Sequence, residues 1–218
     1  MASHHLDQAM LLDYASGSMS HSLSLITATH LALCPACRRD VEALEAVGGA
    51  ILDDVSRQDV QEDSFEELMA RLECESGNVS ATPTSPPVAD EIAHLPRPLR
   101  DHIPLHDGKL RWGRQGPIET IFLPCDDPGH RIRLLRIAPG KGAPQHSHRG
   151  LELTLVLQGS YHDETGRFGP GDIEVADPDL DHRPIADAGA PCVCLAVTTA
   201  PLRLTGPLGR LIDPFLTI

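Results

Sequence analysis

The chain has 218 residues, which suits one large domain or two small ones, and its net charge of −13 argues against nucleic-acid binding through a broad basic patch. Hydrophobic residues make up 41% but aromatics only 3%, so a core must be assembled from Leu, Ile, Val and Ala. The acidity is uneven: residues 1–75 hold 4 Lys/Arg and 14 Asp/Glu, a net of −10, whereas residues 76–218 carry a net of −3.

The opening residues Met1-Ala2-Ser3-His4-His5-Leu6-Asp7 lack a basic stretch followed by an apolar run. No apolar run approaches the ~20 residues that span a bilayer. A cytoplasmic protein with no membrane contact is expected. In that compartment the six cysteines read as thiols or metal ligands rather than structural disulfides.

Helical spacing places a first helix over 6–15, with Leu6, Met10, Leu11 and Tyr14 on one stripe, ended by Gly17-Ser18. A second covers 22–33 through Leu23, Ile26, His30 and Leu33. Pro35 breaks it and suits the first turn of a third, which runs through Val41, Leu44 and Val47 to Gly48-Gly49 and on toward Leu52. A fourth is predicted over 60–74, with Phe65, Leu68, Met69 and Leu72 on its apolar side and acids opposite. Residues 76–90 have linker composition, so the predicted organisation is a helical domain over 1–75, a linker over 76–95 and a second domain over 96–218. The second domain carries short β-rich runs at 119–123, 132–137, 151–157, 172–176 and 192–198. Turns such as Pro139-Gly140 and Gly169-Pro170-Gly171 separate them, which suggests an antiparallel sandwich or barrel.

Two constellations carry chemistry. His30-x3-Cys34-x2-Cys37 sits at the junction of the second and third helices. A Cys-x2-Cys pair at a helix start can aim both sulfurs at one point, and a histidine one turn earlier reaches the same point. That is three of the four donors zinc requires. His5 is the preferred fourth, with His4 and His21 as alternatives. A stray thiol pair or a redox pair is the competing reading. A metal would also supply stability to a small domain poor in aromatics.

This stretch resembles the zinc-binding domain of ChrR-family anti-sigma factors, carried by Leu11-Leu12-Asp13-Tyr14-Ala15-Ser16-Gly17 and by His30-Leu31-Ala32-Leu33-Cys34-Pro35-Ala36-Cys37. The resemblance implies a protein that binds an extracytoplasmic-function sigma factor and keeps it from RNA polymerase.

The second constellation is Gly140-x5-His146-x-His148-x3-Glu152-x6-Gly159, which resembles the first cupin motif at every spacing. Two histidines two apart on an extended segment point to the same side. Gly169-Pro170-Gly171-Asp172 leading to Pro178-x3-His182 resembles the second cupin motif, departing from it after His182, where the common Asn is missing. His146, His148, Glu152 and His182 together suit Zn, Mn, Fe, Ni or Cu. The fold expected is therefore two-domain α + β: a small all-α zinc-binding module followed by an all-β cupin jelly-roll barrel. The expected function is inhibition of a sigma factor, without enzyme activity, with the cupin serving the response to a stress signal such as singlet oxygen, which the family resemblance implies. The alternative is a metal-dependent cupin enzyme of dioxygenase or isomerase type with an accessory helical domain. A small-molecule-binding transcription regulator is disfavoured, because the acidic first domain offers no basic recognition helix and no direct nucleic-acid contact is expected.

Two further features read as packing. The thiols of Cys192-Val193-Cys194 share one strand face, and Trp112 lies between Arg111 and Arg114. The acids over 53–75 read either as a solvated face or as a partner-binding surface.

Overall fold

The computed structural model describes residues 2–76, 92–106 and 109–205. Four helices open the chain: α1 (Gln8–Ala15), α2 (His21–Leu33), α3 (Pro35–Asp53) and α4 (Ser64–Ser76), with a short α5 (Arg97–Arg100) at the entry to the sheets. Local chemistry sets their ends. Asp7 caps α1 by accepting the Met10 N–H at 2.8 Å, and Gly17 closes it at φ +72, a conformation that favours glycine. Pro35 starts α3, where its missing N–H costs nothing.

Among the described residues eleven short strands follow: β1 (Gly113–Gln115), β2 (Ile118–Leu123), β3 (Arg131–Ile137), β4 (His146–His148), β5 (Glu152–Gln158), β6 (Tyr161–His162), β7 (Arg167–Phe168), β8 (Ile173–Ala176), β9 (Ile185–Ala186), β10 (Cys192–Thr198) and β11 (Leu202–Leu204). A six-stranded antiparallel sheet has the order β1-β2-β3-β10-β5-β8. Smaller sheets β7-β6-β9 and β11-β4 complete the cupin barrel, and an isolated bridge joins His146 to His182.

The predicted helices and main strands form within a few residues of their expected bounds. The short strands and α5 escape sequence reading, since two or three residues carry no usable period. Most of the expected linker, residues 77–91, lies outside the described residues. Ile92 and Leu95, at its far end, are buried in the core.

One apolar core runs through both halves, with Leu6, Leu11, Leu25 and Ile26 joined to Leu153, Leu155, Leu195 and Val197. Helix α2 makes the junction. It packs on α3, on α5 and on strands β5 and β10, and Ser22, Thr27, Thr29 and His30 are buried with its apolar residues. A helix covered on all sides shows no single apolar stripe. Its buried hydroxyls must therefore find partners: Thr29 bonds the Leu25 carbonyl at 2.7 Å, and Ser22 meets His130 Nδ1 at 2.7 Å. The barrel also supplies the cap that α2 lacks, because Asp127 accepts the Ser22 N–H at 2.7 Å. Among the described residues no helix is long and apolar enough to cross a membrane.

Candidate metal centres

His5, His30, Cys34 and Cys37 converge at the junction of α2 and α3, each offering one donor atom within 4.8 Å of the others. His30 Nε2 lies 3.3 Å from Cys37 Sγ. His5 Nδ1 lies 3.3 Å from Cys34 Sγ and 3.5 Å from Cys37 Sγ. Three chain segments meet there: the N-terminal arm, the end of α2 and the start of α3. Burial lowers the His30 pKa to about 4, so its imidazole is neutral and free to donate a lone pair. The His30 Nδ1 makes no hydrogen bond of regular geometry, although the Gly171 carbonyl is close enough to act on its ionisation. Burial and the neighbouring Cys34 push the Cys37 thiol up to about 11. Such a thiol becomes a thiolate when a cation takes the place of its proton, so the donor set fits a metal ion.

Neither alternative to His5 reaches this point. The His4 ring lies tilted against Phe168, centroids 4.4 Å apart, and its Nδ1 lies 3.6 Å from Asp172, while His21 pairs with His102.

In the barrel, His146, His148, Glu152 and His182 also bring four donor atoms within 4.8 Å, all from buried side chains. β4 presents the two histidines, the first residue of β5 presents Glu152, and the bridge from His146 places His182. Glu152 Oε2 is 3.0 Å from His148 Nε2 and 3.5 Å from His146 Nε2. The His182 Nε2 is buried without a hydrogen-bond partner among the described residues. A buried nitrogen left without a partner and facing three other donors fits a metal ion. His146 Nδ1 sits 2.9 Å from the Pro144 carbonyl, which fixes the tautomer that leaves Nε2 for the ion.

The surrounding charges went unread in the sequence. Arg133 donates to Glu152 Oε1 at 3.2 Å, leaving Oε2 for the histidines. Burial raises the Glu152 pKa, but the bonds to His146 and His148 and the Arg133 charge outweigh it and hold the carboxylate ionised. His182 Nδ1 lies 2.7 Å from Asp163 and 3.4 Å from Glu174. Burial lowers its pKa, yet these carboxylates raise it to about 9. Glu174 in turn accepts the buried Tyr161 hydroxyl at 2.6 Å. No motif spacing announces Arg133, Asp163 or Glu174, since each acts through the fold. Two cavities, about 350 Å³ beside Arg111 and Arg114 and about 310 Å³ beside Trp112 and Arg136, are not lined by any of these residues.

If the quartets are independent, changing His146 and His148 together to Ala removes about one equivalent of metal and leaves the N-terminal ion bound. Elemental analysis of the purified variant reads this directly, and total loss of metal would contradict it.

Comparison with known proteins agrees with both halves. The ChrR cupin-like domain family matches residues 103–202. The anti-sigma-E factor ChrR of Cereibacter sphaeroides is 42% identical over 217 residues, 99% of this chain and 98% of that protein. The crystal structure of Rhodobacter sphaeroides SigE in complex with the anti-sigma ChrR aligns with a TM-score of 0.75 at 41% identity, covering 91% of this chain and 99% of the matched one. With likeness running through the helices and the barrel alike, the chain belongs to the ChrR family of anti-sigma factors.

Proposed function

We propose that this protein binds and inhibits an extracytoplasmic-function sigma factor through its helical module, residues 1–75. In this reading a zinc ion held by His5, His30, Cys34 and Cys37 braces the module. The barrel, residues 96–218, holds zinc or another divalent metal through His146, His148, Glu152 and His182. It serves the response to a stress signal such as singlet oxygen. When bound, each ion supplies a positive charge that fixes donors from separate segments at one point.

The single observation that carries the binding role is the exposed apolar surface from mid-α3 to α4. Val47, Ile51, Leu52, Val55, Phe65 and Leu68 are all more than half exposed, and Phe65 reaches 67%. A run of large apolar side chains left in water marks a surface for a protein partner. Acids surround it, from Asp53 and Asp54 through Glu66 and Glu67. A sigma factor must carry basic groups where it contacts DNA, so the charges are complementary. The relative's role as a regulator favours this reading over a cupin enzyme.

Co-expression with an extracytoplasmic-function sigma factor from the same genome should yield a stable complex with the full chain, and failure with every such factor would refute the role. Binding kinetics then separate the two parts of the surface. Replacing Phe65 and Leu68 with Ala should speed dissociation by about tenfold or more, as expected for buried anchors. Neutralising Glu62, Asp63, Glu66 and Glu67 should slow association and flatten its salt dependence. Association unchanged by the neutralised set would leave those acids as a merely solvated face.

A further inference from the structure

We propose that His21 and His102 form a third metal site, a two-imidazole clasp for a divalent transition ion between helix α2 and the end of α5. His21 is the first residue of α2, and His102 lies just beyond α5, against which α2 packs. Their Nε2 atoms are 3.3 Å apart, with ring centroids at 5.3 Å. Two nitrogens bound tetrahedrally to zinc at about 2.0–2.1 Å stand about 3.3–3.4 Å apart. The pair therefore already has the bite of a chelate.

The tautomer of His102 points the same way. Its Nδ1 lies 2.9 Å from the Pro98 carbonyl oxygen. A carbonyl can only accept, so Nδ1 carries a proton, and Nε2 is the nitrogen left to face His21. A carbonyl behind one nitrogen and a free lone pair on the other is the usual setting of a metal-bound histidine. His146 in the barrel has the same arrangement, with Pro144 as its carbonyl.

Charge also permits a cation here. The positive end of α2 would repel one, but Asp127 accepts the Ser22 N–H at 2.7 Å and places a carboxylate at that helix end. His130 also faces this point, bonded to Ser22 and 3.7 Å from Asp127. Imidazole donors suit Zn, Ni or Cu, and the remaining positions would be filled by water at the exposed edge. Two protein donors hold an ion less tightly than four, so the clasp fills only after the two quartets. Once filled, it ties the helix that carries His30 to the entry of the barrel, across 81 residues of chain.

The competing description is an N–H···N hydrogen bond between the two rings. Calorimetric titration of zinc into the full chain, with both quartets saturated and free zinc removed, decides between them. One further equivalent is expected, bound at least tenfold more weakly than the quartet ions. His21→Gln and His102→Gln should each abolish it, whereas His162→Ala should keep it. The metal retained by the quartets reports that each variant is folded. Amide exchange over 97–102 should slow with added zinc in the parent chain and not in the variants. Absence of the extra equivalent overturns the proposal, and so does its survival in both Gln variants, which would mean adventitious binding elsewhere.

Discussion

Replacing Cys37 with Ser is expected to strip the helical module of its metal and, with it, of its sigma-factor affinity. Cys37 is 1% exposed, and its sulfur contacts both histidines of the quartet. The four donors come from three segments: an arm ending at His5, the last turn of α2 and the first turn of α3. With the ion gone, the variant's site contains the buried Cys34 sulfur, a serine hydroxyl and a buried neutral imidazole, with no cation to hold them at one point. Structural zinc in small peptides contributes on the order of 10–16 kcal/mol, far more than a domain of this size has to spare. Serine is a poor ligand for zinc, so metal content should fall by about one equivalent and sigma-factor affinity by more than about 100-fold. Elemental analysis and a pull-down on the same preparation measure both. Full inhibition by a metal-free Cys37→Ser protein would refute a structural role for the ion.

The second large effect is expected at Asp172, which no metal motif would have nominated as important to the helical module. It follows the Gly169-Pro170-Gly171 turn and is buried. Its carboxylate accepts the His4 N–H at 2.9 Å, the Ser3 hydroxyl at 3.1 Å, the Gly169 N–H at 2.8 Å and the Ser3 N–H. The barrel thus grips the arm one residue before His5. Burial alone would raise the Asp172 pKa, but these donors bring it from 3.8 down to about 2. That difference corresponds to roughly 2 kcal/mol. Because the folded value is depressed, the contribution is fully present above the unfolded pKa and is lost as pH falls through the folded one. The window is therefore about pH 4 down to about pH 2. Asp172→Ala should lower stability at neutral pH by about 2 kcal/mol and remove that acid-side loss. It should also weaken zinc binding by the His5 quartet, on the order of 10-fold or more, although every ligand is intact. Competition against a chromophoric chelator reads the affinity. Unchanged zinc affinity would mean that the grip on the arm is idle.

Much of this architecture could be read from the sequence, and the reasons are physical. His30-x3-Cys34-x2-Cys37 is legible because a helix end and a helix start fix where those side chains point. The quartet of His146, His148, Glu152 and His182 is legible because strand alternation fixes its directions. The choice among His4, His5 and His21 was not fixed by spacing, since the arm has no period of its own; its course is set by Asp172, 167 residues beyond His5. Arg133, Asp163 and Glu174 were equally silent, because a group that acts through a neighbour leaves no spacing. The sequence also made residues 1–75 look self-contained. Of the expected stripe of Leu23, Ile26, His30 and Leu33, Ile26 and His30 are buried while Leu33 is exposed, and α2 also buries Leu25, Thr27 and Thr29, with further contacts to β5 and β10.

That double contact limits how freely the two halves could be exchanged. Ile26, with 0% exposure, lies in a core whose members come from α3 on one side and from the barrel sheet on the other. A helical module of this kind transplanted onto an unrelated sensor would carry an outer face on α2 shaped for this barrel's Leu155, Leu195 and Val197. It would also leave Ser22 without Asp127 to cap its helix. A working chimera would need α2 rewritten on the face turned toward the new sensor while the face that carries His30 stays as it is. The junction is therefore a custom fitting rather than an interchangeable plug.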